Sequence, residues 1–173
     1  MTIASNKFGN WLLAKGVKRG DIVSLMMLNK PEFIFCWLGI NKIGAVGAFI
    51  NTNLSGKPLT HSLRTATASI LILDTELTKP IADSLDEILR MGYTIHTYGD
   101  SGHVDFAQPI DLSQVPAVDT PDHLRRGVTA DEIAMLIYTS GTTGLPKAGR
   151  FSHARAASKC FLPLDDLDML SRV

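Results

Sequence analysis

Short apolar runs alternate with helix-like stretches along most of this chain, and this alternation constrains its fold more than any other feature. Apolar residues in continuous or alternating patterns predict five strands, at residues 22–28, 44–50, 70–73, 93–98 and 133–137. Apolar residues at helical spacing predict helices between them, at residues 6–15, from Pro31 onward, at 59–66 and at 78–91. Strands and helices that alternate in this way form βαβ units. The sequence therefore predicts an α/β fold with a mainly parallel sheet that is covered on both faces.

Two of the predicted helices carry more specific expectations. The stretch at residues 78–91 is the clearest helix of the chain, because it places four apolar residues on one face: Ile81, Leu85, Ile88 and Leu89. The helix that begins at Pro31 is apolar nearly all round. We therefore expect protein to cover that helix on most of its sides.

Two further stretches do not follow the simple alternation. Residues 33–50 are mostly apolar, but Asn41, Lys42 and three glycines interrupt them. Because a membrane-spanning helix needs roughly 20 apolar residues, a buried helix followed by a strand is favoured there. Residues 100–129 are polar, contain three prolines and show little periodicity. A loop of that length is either functional or a weakly ordered excursion, and we favour the excursion.

Charge and composition argue against several kinds of partner. Seventeen basic residues balance seventeen acidic ones, so no net field favours nucleic acid or an anionic membrane. The five histidines do not stand at metal-ligand spacing, and we expect no metal site built by this chain alone. Cys36 and Cys160 are far apart, which favours two reduced thiols. We find no secretory signal at the start of the chain and no peroxisomal or retention signal at its end.

The strongest chemical signal follows the last predicted strand. The residues there are, in order, Tyr138, Thr139, Ser140, Gly141, Thr142, Thr143, Gly144, Leu145, Pro146 and Lys147. Glycine lets the backbone approach a ligand closely, successive backbone N–H groups attract anions, and the hydroxyls and the lysine add donors suited to phosphate. We therefore predict a phosphate-binding loop, with a solvated surface loop as the alternative. It is not a Walker loop, because two residues separate Gly144 from Lys147.

One histidine lies close to this loop in the sequence. His153 follows Lys147 by six residues and begins a predicted helix. It either faces the ligand or has a capping or packing role.

The string at residues 138–147 resembles the nucleotide-binding signature of the adenylate-forming (AMP-binding) superfamily. That superfamily includes acyl-CoA synthetases, luciferases and peptide-synthetase adenylation domains. The chain looks most like its fatty-acid transport protein and very-long-chain acyl-CoA synthetase branch. The segments that carry this closer resemblance are residues 29–33, 37–45, 50–54 and 137–140, with Ala148 after the loop lysine. The resemblance implies a partial N-terminal AMP-binding domain at residues 1–160, followed by an unrecognised tail at residues 161–173.

The resemblance also implies a reaction in two steps. A fatty acid carboxylate attacks the α-phosphate of ATP to give an acyl-adenylate and pyrophosphate, and the thiol of coenzyme A then displaces AMP. By analogy, the residues that bind ATP and its phosphates are Tyr138, Thr139, Ser140, Gly141, Thr142, Thr143, Gly144 and Lys147. The glutamate that binds Mg²⁺, the ribose-binding aspartate and the mobile domain with the catalytic lysine are all expected downstream. No catalytic set and no metal ligand is therefore expected in this chain.

We accordingly expect the N-terminal portion of an ATP-dependent long-chain or very-long-chain fatty acid–CoA ligase, inactive alone. Two alternatives stay open: a ligase that adenylates another carboxylic acid, and a truncated, non-catalytic nucleotide-binding or interaction module. The implied partners are ATP, a long-chain fatty acid and coenzyme A, with no nucleic acid. Membrane association through segments outside this chain and a homo-oligomer also stay open. The implied location is intracellular, at the peroxisome, endoplasmic reticulum, lipid droplet or cytoplasmic face of the plasma membrane.

Overall fold

The computed structural model describes residues 2–99, 103–139 and 144–160. Its strands are β1 Ile22–Met26, β2 Val46–Phe49, β3 Ile70–Asp74, β4 Thr94–Tyr98, β5 Gln108–Pro109, β6 Ile133–Thr139 and β7 Lys147–Ser152. Its helices are α1 Thr2–Ala14, α2 Pro31–Lys42, α3 Gly56–Ala66, α4 Thr78–Ala82, α5 Leu85–Arg90 and α6 His153–Cys160. None of the helices in these ranges has the length and apolar character needed to cross a membrane.

The strands of the described ranges form one sheet in the order β5-β4-β3-β1-β2-β6-β7. Each neighbouring pair is parallel except β6 and β7, which run antiparallel. This confirms the predicted α/β fold with a mainly parallel sheet. The carboxyl ends of the parallel strands therefore lie together along one border of the sheet, which we call the carboxyl edge. The opposite border, where these strands begin, is the amino edge.

The two faces of the sheet bury separate hydrophobic cores. Strand β3 is buried along its whole length, because its side chains alternate between the two faces and both are covered. Ile70 and Ile72 pack into the core under α1 and α2. Leu71 and Leu73 pack into the core under α3, α4 and α5. Helices on both faces explain why the strands read as apolar runs rather than as a polar–apolar alternation.

Helix α2 begins where the sequence predicts, with Pro31 in its first turn. Proline suits that position because it brings a helical φ and has no N–H group left unpaired. Only Cys36, Gly39 and Ile40 of this helix are buried, and its other apolar residues are half-buried. Of the α2 residues only Pro31 is exposed, so the described part of the chain covers the helix on most of its sides, although its outward side is only half-buried.

The single helix predicted at residues 78–91 is two short helices, α4 and α5. They separate at Asp83 and Ser84, where the N–H of Ser84 bonds to the carbonyl of Ile81 and Ser84 leaves helical geometry. Asp and Ser compete for backbone hydrogen bonds and favour helix ends over interiors. Leu89, which was expected on the buried face, is 49% exposed. Ile81 and Ile88 are buried as the apolar spacing predicts, but this spacing gave no sign that the helix is interrupted between them.

Residues 103–129, which contain only β5 and one short 3₁₀ turn, lie firmly against α1 and α2. The amide of Asn6 donates to the carbonyl of Ala117, and the amide of Asn10 donates to the carbonyls of Pro116 and Val118. The hydroxyl of Thr120 donates to the carbonyl of Lys42. The favoured interpretation as a weakly ordered excursion is therefore wrong for this described part. Side chains on the helices satisfy backbone groups that lack sheet partners.

Asp74 ties two strand ends together at the carboxyl edge. This residue ends β3 and is 0% exposed. Its carboxylate accepts hydrogen bonds from the backbone N–H groups of Leu28 and Glu76 and pairs with Lys30 Nζ at 2.6 Å. Asp74 therefore holds the segment that leads from β1 into α2 against the end of β3.

We expect Asp74→Asn to lower the free energy of unfolding by about 2–3 kcal/mol, because it leaves the Lys30 ammonium without its buried partner. Urea denaturation measures this loss. The matched control is Glu87→Gln, which breaks the exposed pair between Arg64 and Glu87 and should cost less than about 1 kcal/mol. Equal losses in the two variants would show that the buried carboxylate has no special role.

His96 is a buried titratable group in the core under α1. It is 3% exposed, its ring meets the Trp11 ring edge-on at 4.9 Å, and its Nδ1 has no hydrogen-bond partner among the described residues. Burial, with a smaller effect of the Lys15 charge, lowers the pKa of His96 to about 4. The unfolded chain, in which a histidine has a pKa near 6.5, therefore binds this proton at a higher pH than the folded chain does.

We expect the protein to lose stability as the pH falls from 7 to 5, with His96 contributing about 2 kcal/mol of that loss. The His96→Phe variant should show a correspondingly shallower dependence of the unfolding free energy on pH. His123→Gln is the control, because His123 is exposed and its replacement should leave the dependence unchanged. If His96→Phe kept the full dependence, other groups would have to account for it.

Candidate functional site

The two ends of the predicted phosphate loop meet at the carboxyl edge. Thr139 ends β6, Lys147 begins β7, and the antiparallel register places these two residues opposite each other. Four of the predicted binding residues lie outside the described residues: Ser140, Gly141, Thr142 and Thr143. The structure therefore places the other four, which are Tyr138, Thr139, Gly144 and Lys147.

Three of these four residues are exposed at the edge. They are Thr139, Gly144 and Lys147. Gly144 has φ of 85°, a left-handed conformation that favours glycine. A Cβ atom at Gly144 would meet no atom of the described residues within 4 Å, so it is the backbone conformation that favours glycine there. The lysine ammonium and the threonine hydroxyl can both approach an anion that reaches this edge from solvent.

A cavity of about 190 Å³ adjoins the loop. Because β2 pairs in parallel with β6, the segment that leaves β2 lies beside the segment that leaves β6. The cavity is lined by Asn51, Leu54 and Pro58 from the first segment and by Tyr138, Thr139, Gly144 and Pro146 from the second. Residues 51–54 entered the sequence analysis only through the resemblance. Their contact with the loop depends on the strand order, which the sequence does not reveal.

Tyr138 differs from the other described loop residues because it is buried. It is 8% exposed, and its hydroxyl has no hydrogen-bond partner in the described structure. Burial raises the pKa of Tyr138. By contrast, the hydroxyl of Tyr93 in the same core contacts Ser24 Oγ at 3.0 Å and donates to the carbonyl of Leu63. Tyr138 thus packs the end of β6 into the core, and its ring forms one wall of the cavity.

Strand β7 is the element near the site that sequence reasoning missed. Its sequence contains Gly149 and charged or hydroxyl residues, so it shows no apolar run. The predicted helix after it is present as α6, beginning at His153. The length of β7 separates His153 from the loop by about 20 Å, and the N–H of His153 donates to the carbonyl of Glu132 at the amino edge. Of its two proposed roles, the structure therefore favours the capping or packing role over contact with the ligand.

The electrostatic character of the described edge suits an anion rather than a cation. Lys147 supplies a positive charge. No group of three or more histidine, cysteine, aspartate or glutamate side chains in the described ranges could hold a metal ion. The described ends of the loop therefore have the charge and the hydrogen-bond donors that suit an anion.

Comparisons with known proteins identify the relatives of this chain. The family model described as AMP-binding enzyme matches residues 1–168. The very long-chain fatty acid transport protein of Saccharomyces cerevisiae is 36% identical over 152 residues, which are 83% of this chain and 22% of the yeast protein. Long-chain fatty acid transport protein 1 of Rattus norvegicus is 34% identical over 153 residues, 87% of this chain and 24% of the rat protein.

Two solved structures show which proteins share the fold of this chain. The anthranilate CoA ligase AuaEII, in complex with anthranoyl-AMP, is 26% identical with a TM-score of 0.74, covering 92% of this chain and 30% of that one. ATP-bound MatB from Rhodopseudomonas palustris is 27% identical with a TM-score of 0.67, and the match covers 91% of this chain and 30% of that one. The chain thus spans about a quarter of the length of its curated relatives. Because the family model matches nearly all of the chain, the protein belongs to the AMP-binding enzyme family.

Proposed function

We propose that this chain is the ATP-phosphate-binding portion of a ligase that joins long-chain or very-long-chain fatty acids to coenzyme A. The observation that carries the proposal is the loop at residues 138–147, whose described ends meet at the carboxyl edge. In open α/β sheets, ligands bind outside the carboxyl ends of the strands. The chain matches fatty acid transport proteins at 34–36% identity, and these relatives support a fatty acid as the substrate over an aryl or other acid.

In this proposal the loop holds the β- and γ-phosphates of ATP and the departing pyrophosphate. The backbone N–H groups and hydroxyls of residues 139–144 donate to phosphate oxygens, and Lys147 neutralises their charge. Gly144 supports the assignment because its left-handed backbone favours glycine, the residue that lets a backbone approach a ligand closely. Tyr138 would contribute chiefly by fixing the end of β6, since its side chain is buried.

We assign no binding site for Mg²⁺ or coenzyme A to this chain, in contrast to the phosphates of ATP. The described residues contain no carboxylate cluster that fits a metal ion, so we assign no step of Mg²⁺ chemistry to this chain. The adenine, the ribose, coenzyme A and the acyl chain would likewise be bound by parts of the longer proteins beyond the matched segment. We therefore propose that the chain alone does not complete the reaction.

A truncated, non-catalytic nucleotide-binding module is the second candidate. It is supported by the length of the chain, which spans only 22–24% of its curated relatives.

The cellular setting follows from the same relatives. Fatty acid transport proteins are the curated matches, and we propose a role in intracellular fatty acid metabolism. The peroxisome, the endoplasmic reticulum, lipid droplets and the cytoplasmic face of the plasma membrane remain predictions, as does a homo-oligomer. Any membrane attachment in this proposal belongs to segments outside the 173 residues.

The test places residues 1–160 in the matched segment of the yeast relative and measures fatty-acid-dependent exchange between ATP and pyrophosphate. We expect Lys147→Ala to lower the exchange rate by about 10²–10³, because a charged donor to the transferring phosphates is lost. Lys147→Arg should retain part of the rate, since it keeps the charge.

The control is Lys18→Ala, an exposed lysine in the turn before β1, which should change the rate less than twofold. An unchanged rate in Lys147→Ala would refute the assignment of the loop. Should the unsubstituted chimera show no exchange, the same replacements at the aligned lysines of the yeast protein itself decide the question.

A further inference from the structure

Five apolar side chains on one side of the sheet belong to neither hydrophobic core. They form the surface that we call the open face: Ile34, Trp37 and Leu38 on α2, Ile137 on β6 and Phe151 on β7. All five are half-buried. Scattered apolar residues are normal on a protein surface, but a contiguous apolar surface marks an interaction site. The open face therefore needs an explanation of its own.

Helix geometry sets the direction of the α2 part of the open face. Cys36, Ile40 and Ile43 are 0% exposed and point into the core. Because successive residues of an α-helix are turned by about 100°, Ile34 and Leu38 lie on the opposite side of the helix. Their side chains therefore point away from the sheet and from the core beneath α2.

Strand register shows that the β6 and β7 members lie on the same face of the sheet as α2. Phe49 of β2 meets the Trp37 ring at 5.8 Å, so it points toward α2. Ile137 pairs with Phe49 in the parallel register, and Phe151 pairs with Met135, two residues before Ile137. Paired residues in a sheet point to the same face, as do residues two apart in one strand. The open face thus continues from α2 across β6 to β7.

The α2 side of this surface is held in place by polar contacts. In the amide orientation that satisfies both groups, Trp37 Nε1 donates to Asn41 Oδ1 at 3.0 Å, and Asn41 Nδ2 donates to the carbonyl of Ala134 at 3.1 Å. These bonds fix α2 relative to β6. A cavity of about 490 Å³, lined by residues that include Leu38, Val128 and His153, lies at the end of the open face nearest the amino edge. The surface is therefore rigid and partly concave.

We propose that the open face is the docking surface for the polypeptide that lies beyond the matched segment in longer members of this family. The first support is length, because the matched segment is only 22–24% of the curated relatives. The second is the course of the chain: α6 begins at His153 beside the cavity, and the Arg155 guanidinium lies over the Phe151 ring at 4.5 Å. Helix α6 thus begins at the border of the open face. This inference concerns assembly and does not depend on which acid the ligase uses.

The test measures how fast a maleimide labels a cysteine placed on the open face. Ile34→Cys is made in the 173-residue chain and in the chimera that carries residues 1–160 in the yeast relative. Peptide mass spectrometry with fragment ions separates position 34 from Cys36. The matched control is Leu89→Cys on α5, which is 49% exposed on the other side of the sheet. Cys36 is 0% exposed, so its lack of labelling verifies that each protein is folded.

We expect the thiol at position 34 to react at least about tenfold more slowly in the chimera than in the 173-residue chain, and the thiol at position 89 to change less than twofold. Equal rates at position 34 in the two proteins would overturn the proposal. Slow labelling of the 173-residue chain that speeds up on dilution would identify a second copy as the occupant. Slow labelling that persists on dilution, and becomes fast when the chain is cut after residue 160, would identify residues 161–173.

A second experiment keeps the proposal testable if the chimera does not fold. The part of the yeast relative that follows the matched segment is co-expressed as a separate chain with the 173-residue protein. We expect the two chains to purify together, and Ile34→Asp but not Leu89→Asp to abolish this. Co-purification that survives Ile34→Asp, or the absence of co-purification with the unsubstituted chain, would count against the open face.

Discussion

Parallel pairing between β2 and β6 is the contact on which the site depends. The two strands are far apart in the sequence, yet Gly47 pairs with Met135 and Phe49 with Ile137. Parallel strands end at the same border of a sheet, so this register brings the segment after β2 beside the segment after β6. The cavity next to the loop exists because of that meeting. A slip of one residue would turn the side chains of β6 to the opposite faces and would remove Tyr138 from the core.

The sequence could reveal the elements better than their arrangement. The five predicted strands and the start of α2 at Pro31 are present because apolar runs and helix-start residues act locally. Strand order and the packing of residues 103–129 could not be read in this way, since both result from contacts between distant residues. The break at Ser84 was missed because apolar spacing continues across it. Strand β7 was missed because Gly149 and its charged neighbours hide the pattern of an edge strand. For the site, composition located the loop. That Asn51, Leu54 and Pro58 line the cavity beside it could be seen only from the fold.

The described ends of the predicted loop are open to water. Lys147 and Thr139 are exposed to water, where a single charge pair at contact is worth only about 1 kcal/mol. Electrostatic stabilisation becomes large only where water is excluded and the donors are already oriented. The orientation is supplied here by the β6–β7 pairing and by the buried ring of Tyr138. The exclusion of water would have to come from protein that covers the carboxyl edge.

Strand β6 connects this requirement with the open face. Ile137 belongs to the open face and stands two residues before Thr139, so both side chains point to the same side of the sheet. Polypeptide that docks on Ile137 and Trp37 would therefore lie beside the end of β6, where the predicted phosphate loop begins. The rigid link from Trp37 through Asn41 to the backbone of β6 would resist any shift of the strand as the face is covered. One strand thus carries both the predicted phosphate contacts and the surface through which the rest of a longer protein would enclose them.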